Sequence, residues 1–160
     1  MKNTIILTVH NKGNTIKKIL DNLFSNISKV TTKVIIILDG CTDNTSTIVY
    51  EFFKVNKPSV ESNIIITDDI WETKAKNIGL KEVLTEYATI VQDDMLIKQK
   101  NWDKKLLMNF KKFNLFAVSG RAGHNFSLHN NQFKAIDVVG REYPLSNKNI
   151  IGKLVGKLIS

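Results

Sequence analysis

The sequence has one cysteine, two prolines and eight glycines among its 160 residues. A lone thiol, Cys41, excludes a disulfide-stapled scaffold and any cysteine-rich zinc module. So little proline and glycine excludes collagen-like and linker-dominated architectures. No apolar run approaches the ~20 residues that a membrane-spanning helix needs. Met1-Lys2-Asn3 leads straight into a short apolar segment with neither the length nor the small-residue cleavage site of a secretory signal. The expected location is therefore cytoplasmic. Common nucleotide and nucleophile motifs are missing too. Asn11-Lys12-Gly13-Asn14 stands where a Gly-x-Gly-x-x-Gly turn would follow the first apolar segment, and no Walker-type loop or Gly-x-Ser-x-Gly elbow occurs. A dinucleotide oxidoreductase, a P-loop NTPase and a standard serine hydrolase are disfavoured.

What remains is 42% hydrophobic and 24% charged, at a length that suits one domain with a sizeable core. Four apolar segments, at 4–9, 33–38, 63–67 and 88–91, are rich in Ile, Val and Thr. Their runs are continuous rather than alternating, as in strands covered on both faces of a parallel sheet. A fifth candidate strand lies at 115–119. Between them run helical stripes: Ile16, Ile19, Leu20, Leu23; then Ile48, Val49, Phe52; then Ala75, Ile78, Leu80; then Trp102, Leu106, Leu107, Phe110. Thr42 and Asp43 supply capping chemistry for the second helix. The alternating order implies an α/β fold with a doubly wound, mainly parallel sheet flanked by helices. The expected organisation is a core over 1–120 and a short segment over 121–160, where periodicity fades before an amphipathic stretch at 150–159.

Charge is divided unevenly. Residues 1–97 carry 11 Lys and Arg against 12 Asp and Glu, and residues 98–160 carry 12 against 3. A basic third can draw in phosphorylated ligands or an anionic membrane surface, or be a lysine-rich solvated face. Peripheral membrane contact is one expectation from it; nucleic acid is not the expected partner.

Open parallel sheets bind ligands beyond the carboxyl ends of their strands. Here those ends read Thr8-Val9-His10-Asn11, Asp39-Gly40-Cys41-Thr42-Asp43 and Gln92-Asp93-Asp94. Tandem carboxylates just past a strand repel each other unless a cation compensates, which suggests oxygen-ligated Mg²⁺ or Mn²⁺ completed by substrate phosphates. A pair of acids at a helix start is the competing explanation. Asp39 either meets a ligand or shapes its turn.

These segments together resemble the family 2 glycosyltransferases of the GT-A fold. The resemblance rests on Thr4–Asn11, Ile37–Thr45, Ala75–Gly79 and Ile90–Met95, in order and at fitting intervals over about residues 4–120. It implies a metal-dependent, inverting transfer of a sugar from a nucleotide-sugar donor to a hydroxyl of a glycan, lipid or protein acceptor. Carried over by position, Thr8, His10 and Asn11 would line the nucleotide, and Asp39 would hydrogen-bond the base or ribose. Lys76 would approach the diphosphate. Asp93 and Asp94 would hold the sugar nucleotide through ribose and metal (Mn²⁺ or Mg²⁺), with Asp94 the direct ligand. The chain departs from the pattern at Thr8 for proline, Leu38 for an acid, Gln92 for the first acid of Asp-x-Asp, and Asp69-Ile70-Trp71 for Asn-x-Gly. Trp71 is a candidate cover for the donor. Downstream, Asp137 and Glu142 are the only acids after Asp103 and so the available candidates for a general base. The alternative expectation is a nucleotide-sugar-binding domain without turnover.

Overall fold

The computed structural model describes residues 1–113 and 115–120, and beyond them the backbone of three strands. The chain divides into two compact units, Met1–Ser119 and Gly120–Ser160. In the first, strands β1 (Asn3–Val9), β2 (Thr31–Asp39), β3 (Glu61–Thr67) and β4 (Tyr87–Gln92) alternate with helices α1 (Ile16–Asn26), α2 (Thr45–Asn56), α3 (Glu72–Lys81) and α4 (Trp102–Lys112). The sheet order is β3-β2-β1-β4, parallel throughout. This is the expected doubly wound α/β architecture, with the winding direction reversing between β1 and β4.

The continuous apolar runs have the predicted cause. Every residue of β1 is buried, and so are Val34 to Asp39 of β2. On one face Ile5, Leu7, Val9, Val34, Ile36 and Leu38 pack with Ile16, Leu20 and Leu23 of α1 and Val49 and Phe52 of α2. On the other, Ile6, Ile35 and Ile37 pack with Ala75 of α3. Each fully buried Ile or Leu contributes about 1.5–3 kcal/mol of transfer free energy. Gly79 lets α3 lie close to the sheet: a Cβ there would meet Ile6 Cγ2 at 2.7 Å and Ile37 Cδ1 at 2.9 Å.

At the amino-terminal end of the sheet, the fully buried Asp103 ties α4 to the start of β2. Its carboxylate accepts the Ser28 N–H at 3.0 Å, the Ser28 hydroxyl at 3.0 Å and the Thr31 hydroxyl at 2.7 Å. Thr31 Oγ1 accepts from Asn3 Nδ2 at 3.1 Å, and Asn3 Oδ1 accepts from Thr89 Oγ1 at 2.9 Å. One polar chain thereby crosses three strands and fixes where α4 begins.

Two expectations need correction. Residues 115–119 form no strand; Leu115 and Phe116 are exposed there, with no sheet neighbour to cover them. Past residue 120, where periodicity fades, three short strands β5 (His124–His129), β6 (Gln132–Ile136) and β7 (Glu142–Pro144) form an antiparallel sheet in that order. Asp137 and the amphipathic stretch at 150–159 lie outside the described residues; Glu142 opens β7, its side chain likewise outside them.

Candidate functional site

The parallel register brings the ends of β1, β2 and β4 to one edge, since Thr8 aligns with both Ile37 and Gln92. His10, first residue past β1, joins the other two. Its backbone N–H donates to Asp93 Oδ2 at 3.0 Å, and its ring Nδ1 lies 2.6 Å from the Asp39 carbonyl oxygen. A carbonyl only accepts, so Nδ1 carries the proton, and Nε2 is left to accept from Asn11 Nδ2 at 3.2 Å. Asp39 and the tandem acids therefore share one rim.

Asp39 is 4% exposed. Its Oδ1 accepts the Thr67 hydroxyl at 2.8 Å and the Ile70 N–H at 3.0 Å, which fixes the loop after β3. Its Oδ2 takes no hydrogen bond among the described residues. Gly40 completes the turn with φ 54°, and a Cβ there would fall 2.5 Å from Asp69 Cβ. Both the dihedral and the close approach require glycine.

Asp93 is held on both oxygens, by His10 and by Lys12 Nζ at 3.7 Å from Oδ1. Asp94 is exposed in the turn beyond and makes no hydrogen bond or ion pair among the described residues. No cluster of three His, Cys, Asp or Glu side chains occurs among the described residues. Two adjacent carboxylates, one of them uncommitted, nonetheless suit a hard divalent cation, which uses one or two protein carboxylates and takes phosphate oxygens and water for the rest.

The other expected residues have protein partners of their own. Asn11, at φ 49°, directs Oδ1 to the Thr42 N–H at 2.8 Å and the Asp43 N–H at 3.2 Å, so its carboxamide shapes the neighbouring loop. Thr8 is buried at the end of β1, 6% exposed. Lys76 pairs with Glu72 one turn earlier in α3, and the same Glu72 oxygen accepts Gln92 Nε2 at 3.0 Å. Hydrogen bonds from Lys76 and Gln92 hold the Glu72 carboxyl below its ordinary value. Asp43 does not cap α2 directly, because Asn44 holds the cap position. Instead its two oxygens accept the Thr45 N–H at 3.0 Å and the Gly13 N–H at 2.9 Å, and its carboxyl is held low, chiefly by the Thr45 side chain and then by the Gly13 N–H. Burial pushes the Cys41 thiol up, and the negative charges of Asp43, Asp39 and Asp93 add to the effect against a lowering hydrogen bond from the Asn11 backbone.

Sequence reasoning missed Lys12, Glu72 and the clip formed by Asp43. The signal for Lys12 was its place in the turn after β1; for Glu72, its spacing of four from Lys76. Beside the rim lies an open cleft of about 580 Å³ lined by His10, Leu38, Ile66, Thr67, Asp68 and Asp69, among others. A depression of about 680 Å³ at the opposite end of the sheet, between Phe24, Phe52, Pro58 and Val60, includes one carboxylate, Asp21. It is larger, but the cleft lined by His10, Asp68 and Asp69 is the one beside the rim acids.

The model of glycosyl transferase family 2 matches residues 4–154. No curated protein matches the chain. Among solved structures, a mannosyltransferase of Pyrobaculum calidifontis in complex with GDP-Man and Mn²⁺ aligns with a TM-score of 0.61 at 18% identity, over 66% of this chain and 31% of that one. TarS of S. aureus aligns with a TM-score of 0.55 at 23% identity, over 69% of this chain and 20% of TarS. Residues 1–349 of TarS in complex with UDP align with a TM-score of 0.52 at 24% identity, over 69% of this chain and 32% of that one. At these identities the likeness shows the fold. The chain spans about a third or less of the length of each.

Proposed function

The chain belongs to glycosyl transferase family 2, and from that premise we propose that its carboxyl rim binds a nucleotide-sugar donor for a metal-dependent, inverting transfer to an acceptor hydroxyl. The observation that supports this reading is the bridge made by His10 between Asp39 and Asp93. It places a buried acid, with one oxygen unused among the described residues, beside the half-buried Asp93 and the exposed Asp94, as a ligand with a polar base at one end and a diphosphate at the other requires.

In this reading Asp39 Oδ2 accepts a donor hydrogen from the base or ribose. Asp93 sits at the ribose, where Lys12 offsets its charge. His10 flanks the nucleotide through its ring, while Thr8 and Asn11 hold the turn that carries it. Asp94, with Asp93, would hold Mn²⁺ or Mg²⁺, which supplies charge stabilisation to the departing diphosphate. Lys76 can exchange Glu72 for a phosphate oxygen. An acceptor oxygen attacks the anomeric carbon as the bond to the diphosphate breaks, and its proton passes to a carboxylate. Asp137 and Glu142 are the candidates for that base. The basic stretch after residue 97 favours an acceptor bearing phosphate, such as a lipid carrier at an anionic surface. No helix among the described residues is long and apolar enough to cross a membrane.

The second reading, donor binding without turnover, is favoured by the scarcity of acids after Asp103. Donor hydrolysis and sugar transfer, assayed with UDP- and GDP-sugars and Mn²⁺, distinguish them. Turnover should fall by about 10²-fold or more in Asp94→Ala, the scale of losing one charge-stabilising group. Binding without turnover in the unaltered chain decides for the second reading, and turnover that survives Asp94→Ala removes Asp94 from the metal site.

A further inference from the structure

The loop between β3 and α3 contains a residue that the core does not use and that the sequence marks only as a candidate cover for the donor. Trp71 has φ 72° and ψ 144°, a region that glycine enters readily and a bulky side chain rarely does. Asn11, Lys57 and Asn101 also have positive φ, but Lys57 and Asn101 sit in the ordinary left-handed helical well and Asn11 is of the residue type that tolerates such φ best. Trp71 has no such excuse.

Its conformation is imposed from both sides. The preceding Ile70 donates its N–H to Asp39 Oδ1 at 3.0 Å and packs its side chain into the cluster of Ile6, Ile37 and Ala75. The carbonyl of Trp71 itself accepts the Ala75 N–H at 3.0 Å, opening α3. The motif that this loop resembles carries glycine at this position, and the dihedrals show why. Tryptophan there gains nothing by burial, because it is 80% exposed. A strained backbone that presents a large uncovered aromatic is unfavourable for the free fold and points to a contact made elsewhere. That contact has an address. Trp71 follows the residue clamped to Asp39 and precedes Glu72, which grips Gln92 next to Asp93. The end of β3 supplies Thr67 to the cleft, and the same loop supplies Asp68 and Asp69.

We propose that Trp71 is the stacking platform for the nucleobase of the donor, an inference that rests on the rim taking a nucleotide-sugar. Indole offers a flat π face, and every base offers one in return, so stacking adds affinity without choosing among bases. Choice is left to the hydrogen-bonding groups of Asp39 and its neighbours.

Calorimetric titration of the full chain with UDP, GDP and inorganic pyrophosphate, each with Mn²⁺, tests this. Trp71→Gly should weaken whichever nucleoside diphosphate binds by about 5- to 160-fold, the range of one base–aromatic stack. It should leave pyrophosphate affinity within about twofold and, because glycine suits the dihedrals, leave the melting temperature equal or higher. Trp71→Phe should retain most of the affinity. Equal nucleotide affinity in Trp71→Gly overturns the inference, and so does an equal loss for pyrophosphate. A lowered melting temperature with unchanged binding also overturns it and makes Trp71 a structural residue. If the unaltered chain binds none of the three ligands, the donor-binding reading fails first.

Discussion

The two ends of the parallel sheet use similar side chains under opposite conditions. At the amino-terminal end Asp103, Asn3 and Thr31 are buried, and the carboxylate takes hydrogen bonds on both oxygens. At the carboxyl end, among the described residues, Asp94 is exposed and uncommitted, and Asp39 is buried with only one oxygen engaged. An acid whose bonds are complete is a strut; one with an oxygen left over in a half-open setting is a site candidate. Residue type does not tell them apart, whereas completeness of bonding does.

The largest effect that can test this contrast is at Asp103. Asp103→Ala strands the Ser28 N–H and two hydroxyls, and should lower unfolding stability by about 2–5 kcal/mol in urea denaturation. Nucleotide binding by the fraction that remains folded should be unchanged. Asp94→Ala should do the reverse, losing turnover with little change in stability. If both substitutions lowered stability alike, the contrast between the ends would break.

Asp39 belongs partly to each category and sharpens the comparison. Asp39→Asn keeps an oxygen for Thr67 and Ile70 but replaces the unused oxygen by a donor. Stability should fall by about 1 kcal/mol, while nucleoside diphosphate affinity in the presence of Mn²⁺ falls about tenfold. A stability loss as large as that of Asp103→Ala would mark Asp39 as purely structural.

The smallest effect is with pH. Asp43 and Glu72 are held below their ordinary values of 3.8 and 4.5 by hydrogen bonds. A carboxyl lowered in the folded state contributes stability above its unfolded value and loses it as pH falls through the folded one. Melting temperature should therefore decline below about pH 4.5. Both groups are exposed, so the contribution is small and weakens with salt. Asp43→Asn should remove part of that decline.

What could be read from the sequence follows the same division. β1 and β2 were legible because helices cover both their faces, which leaves unbroken runs such as Val34–Leu38. Strand ends were less so: β3 begins at Glu61 and β4 at Tyr87, where edge positions tolerate polar or half-exposed residues. The run 115–119 looked like a strand because local composition cannot supply a pairing partner. The acids of the rim were legible from the rule about strand ends. Their partners were not, since Lys12 meets Asp93 across 81 positions and Ser28 meets Asp103 across 75. Asp103 lies in the first turn of α4, and nothing in its sequence neighbours announces its burial.

One consequence follows from the way His10 grips two loops at once, by main chain on one side and imidazole on the other. The span of the mouth is set before any guest arrives. A small molecule entering there finds its footholds already at the right separation and forfeits less freedom than it would in assembling them. Residue 10 thus acts as a calliper for the opening.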